Sequence, residues 1–268
     1  TLTHARIQYA GAGGCGFTET AFAALVFRNA TATFNDCLLA DANFNGFWVL
    51  GPSTVTLNNC IVERTSVGLH AVAGSTVTVN NCVFDRNSTG LRNGAARIDV
   101  TNTSITNNYT AGFANDVDVG TFVFKNNNLW NPASGAVNAS GAQGAEFAAG
   151  QNGNLSANPL YVNAAADDFR LAGKSPLIDA GDPATAVSTD SRGFARVGSA
   201  PDIGAFEYTA SGSSTVDLQV SSVVPPATAV SGQTASVTFT VKNAGTTPAA
   251  GPWQQTVALR PVAGGDDG

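Results

Sequence analysis

The stretch TVTLNNCIV at residues 54–62 returns as TVTVNNCVF at 76–84, 22 residues later. Upstream stands TATFNDCLL (31–39); downstream stand RIDVTNTSI (97–105) and a weaker copy, TFVFKNNNL (121–129). Each copy places apolar residues at the same four offsets. They are Val55, Leu57, Cys60 and Val62 in the first quoted copy, and Val77, Val79, Cys82 and Phe84 in the second. Ala32, Phe34, Cys37 and Leu39 hold these offsets upstream, and Ile98, Val100, Thr103 and Ile105 hold them downstream. A second beat follows: Gly46, Gly68, Gly90 and Gly112 are spaced by 22 residues, each opening a short run such as GFWVL or GLHAV. Such a period decides the architecture first. A unit of two or three short strands buries no core alone and must stack on its copies.

The two-residue alternation inside each copy is that of half-buried strands, and the Asn-rich pieces between are bends; no helical period of useful length appears. Stacked coils, each about 4.8 Å above the last, make an all-β, single-stranded parallel β-helix of about 22 residues per coil. Identical positions then stack, so Asn58 and Asn59 are expected beside Asn80 and Asn81 as amide ladders. Cys37, Cys60 and Cys82 share one inward offset and read as small buried hydrophobes. Metal sites want closely spaced Cys pairs with His partners, which this spacing does not offer. Cys15, in the insertion AGAGGCGF, is unpaired on this reading. LTHARIQYAG puts Leu2, His4, Ile7 and Tyr9 at the four offsets, so Thr1 falls inside a coil. With no Met present, the sequence reads as a piece of a longer chain.

Composition narrows the function classes. Hydrophobic residues at 43% argue for a folded chain. Thirteen basic against nineteen acidic residues give a net charge of −6 without a basic cluster, which disfavours a nucleic-acid partner. No apolar stretch reaches the length of a membrane span. Along the chain, 1–150 read as coils and 151–208 as an irregular closing segment punctuated by Pro, Gly and Asp. TASGSST (209–215) reads as a flexible linker. VDLQVSSVVPP, TASVTFTVKNAG and WQQTVALRP, within 216–268, read as alternating strands of a truncated antiparallel sandwich.

Residues 1–140 resemble the right-handed parallel β-helix repeats of pectate-lyase-like proteins. NPLYVNAAADDFRLAGKSPLIDAGD followed by DIGAFEY resembles the segment closing such helices in bacterial proteins of the choice-of-anchor class. DLQVSSVVPPATAVSGQTASVTFTVKNAGTTPAAGPWQQTVAL is similar to the start of a CARDB domain, an immunoglobulin-like, adhesion-related module. These resemblances imply an exported bacterial protein, extracellular or at the cell surface. No catalytic motif carries over with them.

Several groups are candidates for chemistry. Glu63 and Asp85 share one offset on adjacent coils, a spacing that would suit a glycosidase carboxyl pair. Arg64 and Arg86 stack beside them, so the expectation is a charge ladder on a solvated bend. Asp116 with Asp118, and Asp167 with Asp168, could offer oxygens to Ca²⁺, but no calcium-loop spacing is present and turn-forming Asp is the simpler reading. Asp179, Asp182, Asp190, Arg192, Arg196, Asp202 and Glu207 form the densest charge group, read as holding an irregular cap together, with ion binding as the alternative. Two residues after the repeating Gly, Trp48, His70, Arg92 and Ala114 form an outward stripe suited to a sugar face and its hydroxyls.

The expectation is therefore a monomeric, non-catalytic module that binds a polysaccharide or cell-surface or matrix glycan. No cofactor is required, and Ca²⁺ is the one ion the acidic groups suggest. The alternative is a polysaccharide lyase or glycoside hydrolase whose active site lies in coils upstream, and that rests on fold analogy alone.

Overall fold

The computed structural model describes residues 1–8, 23–116, 121–133, 135–140, 149–209, 218–224 and 238–243. The chain divides into two compact units, Thr1–Tyr208 and Thr209–Gly268. In the first, three six-stranded parallel sheets wind about one core, each coil contributing one strand to each sheet. The first sheet holds Leu2–Thr3, Thr31–Asn35, Thr54–Asn58, Thr76–Asn80, Arg97–Thr101 and Thr121–Lys125. The second holds Arg6–Gln8, Leu38–Ala40, Ile61–Glu63, Val83–Asp85, Ser104–Thr106 and Asn128–Trp130. The third holds Ala23–Arg28, Asn45–Leu50, Val67–Val72, Thr89–Gly94, Ala111–Asn115 and Val137–Ser140. Equivalent residues lie opposite one another: Val77 pairs with Val55 and Ile98, and Phe84 with Val62 and Ile105. This is the parallel β-helix that the repeat implies.

The first coil sits two residues away from its expected register. Leu2 pairs with Phe34 and Ile7 with Leu39, while His4 occupies the bend rather than an apolar offset. A two-residue slip keeps the same side chains on the same face, so alternation alone does not distinguish the registers. The bend does. His4, Asp36, Asn59, Asn81, Asn102 and Asn126 all take the left-handed conformation, with φ between 50° and 56°. Asn and Asp tolerate that region best, which is why they recur there.

Side-chain columns knit the bends. Asn58 Nδ2 donates to Asn35 Oδ1 at 2.9 Å, and Asn80 Nδ2 to Asn58 Oδ1 at 3.0 Å. Cys37, Cys60 and Cys82 are free thiols and buried, but they also belong to a polar column. The backbone N–H of Cys60 donates to Cys82 Sγ at 3.3 Å, and that of Cys82 to Thr103 Oγ1 at 3.2 Å. The N–H of Thr103 donates to Asn127 Oδ1 at 2.9 Å, and that of Asn127 to Asn154 Oδ1 at 2.9 Å. Reading these thiols as plain hydrophobes is therefore incomplete, since Cys82 also accepts from a backbone amide and Cys37 and Cys60 donate to backbone carbonyls. A second inner column does the same at the next bend. The N–H of Thr65 bonds Asn87 Oδ1, that of Asn87 bonds Asn108 Oδ1, and that of Asn108 bonds Asn131 Oδ1, at 2.8–3.0 Å.

The repeating glycines have a steric cause. A Cβ on Gly68 would lie 2.5 Å from the Gly90 carbonyl oxygen and 2.7 Å from the Phe84 ring. Gly46 and Gly90 meet the carbonyl of the next coil in the same way, at 2.6 Å.

Residues 149–157 add a last partial turn: Asn126 N–H donates to Asn152 O at 3.0 Å and Leu129 N–H to Leu155 O at 3.0 Å. The rest of the closing segment does not sit on the end of the solenoid. It runs back along the flank, because the bend asparagines offer it donors on successive coils. Asn126 Nδ2 reaches Ala180 O, Asn102 Nδ2 reaches Asp182 O, Asn81 Nδ2 reaches Asp202 O and Asn59 Nδ2 reaches Thr189 O, all at 2.9–3.1 Å. Phe169 and Ala205 pack on outward Val83 of the second sheet. In the second unit, Leu218–Val224 and Thr238–Asn243 form an antiparallel pair. The linker at 210–215, Cys15, Asp118 and the other strands read in 216–268 lie outside the described residues.

Two stability measurements follow. Gly68→Ala should lose about 1–3 kcal/mol in denaturant unfolding through overpacking. Gly94→Ala, where a Cβ meets nothing nearer than 3.5 Å, should change little. Cys82→Val should be less stable than Cys82→Thr by about 1–3 kcal/mol, because valine leaves the Cys60 N–H unpaired while threonine reproduces the bond made by Thr103.

Candidate functional site

The second sheet turns an ionic stack outward. Glu63, Asp85 and Thr106 lie in register on three coils. The residue after each takes the left-handed conformation: Arg64 at φ 51°, Arg86 at 53° and Asn107 at 54°, with Asp41 at 60° one coil earlier. An arginine there forgoes about 1–2 kcal/mol of backbone preference, so its side chain must return that in contacts. Arg64 Nε donates to Asp41 Oδ1 at 2.6 Å, and its Nη1 lies 2.7 Å from both Glu63 Oε2 and Asp167 Oδ1. Arg86 Nε donates to Asp85 Oδ2 at 2.8 Å, and its Nη2 to Glu63 Oε2 at 2.6 Å and Asp167 Oδ1 at 2.7 Å. The Arg86 guanidinium also lies 5.6 Å from the centre of the Phe169 ring. Thr106 Oγ1 and Asn107 Nδ2 complete Asp85 at 2.8 and 2.7 Å.

The solvated bend expected for Glu63 and Asp85 is overturned: both are fully buried. The flank-running closing segment covers them and brings Asp167, 81 residues from Arg86, onto the two guanidiniums. Burial pushes the Glu63 carboxyl up to about 7, against the pull of Arg64 and with a push from Asp167. Burial raises Asp85 as well, while Thr106, Asn107 and Arg86 restrain it. Asp167 is held below the usual range, its burial outweighed by the hydrogen bonds from Arg86 and Arg64. Asp168 pairs instead with Arg170 at 2.7 Å.

Four of the five acids of the closing segment, Asp182, Asp190, Asp202 and Glu207, are bound by protein donors. Asp182 accepts from Lys125 Nζ at 2.6 Å and from the Ala184 amide at 3.0 Å. Asp190, fully buried, accepts from Arg192 Nη2 at 2.6 Å and from the amides of Phe194 and Glu207 at 3.1 Å each. Asp202 accepts the amides of Asp179 and Tyr208, and burial pushes it up to about 6. Glu207 accepts from Arg196 Nη1 at 3.1 Å and from the Val197 amide at 2.9 Å. Asp179 contributes its backbone amide and takes the left-handed conformation at φ 55°. Among the described residues, no group of three or more His, Cys, Asp or Glu is placed to hold a metal.

On the third sheet, Trp48, His70, Arg92 and Ala114 are register neighbours on successive coils. The rings of Trp48 and His70 stack in parallel, 6.1 Å between centroids and 5° between planes. Arg92 is exposed and donates Nε to Asp116 Oδ2 at 2.8 Å. Burial, then the Arg92 charge, hold the His70 imidazole below its ordinary 6.5. The indole Nε1 of Trp48 is shielded from solvent without an acceptor among the described residues.

Residues 7–151 match the family described as "Right handed beta helix region", which is more than half of the chain. The chain belongs to the right-handed β-helix family. A similar solved structure is the "Crystal structure of pectate lyase Pel9A", with 16% identity and a TM-score of 0.46. That match covers 77% of this chain, which spans 65% of the lyase's length. No curated protein matches this right-handed β-helix in sequence.

In this β-helix the ionic stack is a fastening that sequence reasoning separated into two unrelated groups. Arg86→Met should lose about 3–5 kcal/mol in equilibrium unfolding, because it leaves buried Glu63 and Asp85 short of a partner. Combining it with Glu63→Gln should recover part of that loss.

Proposed function

We propose that the chain is a non-catalytic, glycan-binding module of a secreted or cell-surface bacterial protein, and that the column of Trp48, His70 and Arg92 is its binding face. The observation that carries this reading is the column itself. An aromatic stack and an exposed guanidinium stand one coil apart on the third sheet, in line with the solenoid axis. Coils repeat about every 4.8 Å, close to the length of one sugar unit, so a glycan lying along the axis meets one side chain per unit. Trp48 supplies apolar surface beside hydroxyl-bonding groups, and Arg92 a fork of N–H donors.

The sealing of Glu63 and Asp85 favours binding over cleavage. A general acid must reach the glycosidic oxygen, and these carboxyls are buried beneath Asp167 and Phe169 with arginines on them. Resemblance of 151–208 to a choice-of-anchor closing segment, and of the following strands to a CARDB domain, supports the surface location. The antiparallel pair at 218–224 and 238–243 is compatible with such a sandwich.

Glycan-array and affinity-electrophoresis measurements on the chain test this. Trp48→Ala should weaken binding by about 1–3 kcal/mol, as expected of a central aromatic anchor, and Arg92→Ala by less. Since burial and the Arg92 charge hold His70 below its ordinary value, affinity should vary less between about pH 7 and 8 than between about pH 5 and 7. Undiminished binding by a folded Trp48→Ala/Arg92→Ala double variant would overturn the assignment of the face. Product formation abolished by Glu63→Gln would overturn the non-catalytic reading.

A further inference from the structure

Glu63 Oε1 is shielded from solvent and has no hydrogen-bond partner among the described residues. Its other oxygen, Oε2, converges with Asp167 Oδ1 on the same two guanidinium nitrogens, Arg64 Nη1 and Arg86 Nη2, at 2.6–2.7 Å. Two carboxylates gathered so closely resist ionising together. We propose that Glu63 and Asp167 share one proton and form a pH-operated clasp, which fastens the closing segment to the coils while the proton is held and loosens when it leaves.

The surrounding charges place the proton. Among the described residues, the basic groups paired with Asp41, Glu63, Asp85 and Asp167 are Arg64 and Arg86, an excess of two negative charges when all four acids are ionised. Asp41 and Asp167 keep side-chain exposures of 22% and 33%, so water screens them. Asp85 is as buried as Glu63 but is bonded by Thr106, Asn107 and Arg86. Of these four acids, Glu63 alone combines full burial with an oxygen that has no hydrogen-bond partner among the described residues. Tyr161, packed alongside, donates its hydroxyl to Ser104 rather than to this pair. When the proton departs, both anions compete for the same donors. Glu63 is fixed in a sheet, whereas Asp167 ends a single 3-10 turn, Ala164–Ala166, so the turn gives way.

The sign of the linkage follows. A carboxyl held above its ordinary 4.5 keeps its proton in the folded chain after the unfolded chain has lost it. The contribution to stability is complete below about 4.5, declines as pH rises to about 7 and is level above. Asp202, raised to about 6, adds a slope of the same sign, so variants are needed to separate the two.

The test uses hydrogen exchange of the intact chain at pH 6 and 8.5, corrected for intrinsic rates, together with a carbon-13 carboxyl titration of Glu63. Protection across 163–168 should fall on the order of tenfold at the higher pH in the natural chain, and should be unchanged by pH in Glu63→Gln. If Glu63→Gln does not fold, Asp167→Asn carries the comparison, since removing the competing anion should likewise abolish the pH effect on 163–168. A Glu63 carboxyl titrating at or below its ordinary value overturns the proposal. So does natural-chain protection that is equal at the two pH values.

Discussion

Everything in this solenoid depends on pairing the backbone where a coil turns. Strands pair with the coils above and below, but the amide just after a bend faces inward, and leaving it unmet would cost about 1–3 kcal/mol per coil. The solution is one acceptor per coil at a fixed offset. Cys82 serves the Cys60 amide, Thr103 that of Cys82, Asn127 that of Thr103 and Asn154 that of Asn127. Residues so different in polarity occupy one position because the position asks for an acceptor, not for a degree of hydrophobicity. Asn87, Asn108 and Asn131 answer the same need at the second bend. The coil-to-coil period is thus enforced by hydrogen bonds in the turns as much as by apolar packing inside.

The outer side of the first bend follows from the inner. A left-handed residue directs its side chain away from the core, and Asn59, Asn81, Asn102 and Asn126 present a row of amides one coil apart. The closing segment reads that row with its own backbone, at Thr189, Asp202, Asp182 and Ala180 in turn. It needs no regular structure of its own, because its partners are already spaced. Once laid there it shelters the second sheet, while Thr31 and Thr54 on the first sheet and Arg92 on the third stay exposed. Which surfaces remain open to a ligand is therefore settled by the bends.

Sequence reasoning reached the coil, its strands and its stacked positions because the repeat writes each of them several times. It also grouped Trp48, His70 and Arg92 into one column, since a fixed offset in a parallel stack is a fixed place in space. It misplaced the first coil because two-residue alternation looks the same after a two-residue slip, and His4 carries no turn signal. It took Cys60 and Cys82 for simple hydrophobes because a thiol's weak acceptor role leaves no mark on composition. It exposed Glu63 because the cover arrives from a segment about a hundred residues away, and no periodicity links Asp167 to that coil.

The ionic stack shows what such a non-repeating contact demands of a repeating scaffold. At the bend where Asp41 and Asn107 fit the left-handed backbone, the two intervening coils carry Arg64 and Arg86 instead. Arginine there opposes local preference, and the carboxyls beside it gain burial that solvent would otherwise spare them. Both costs become tolerable together, since each guanidinium spans a coil acid and Asp167 at once. Two arginines against four acids still fall short of neutrality. The remaining imbalance rests on the carboxyl with the fewest donors, so the residue that joins the segment to the coils is also the one whose charge state is least settled near neutral pH.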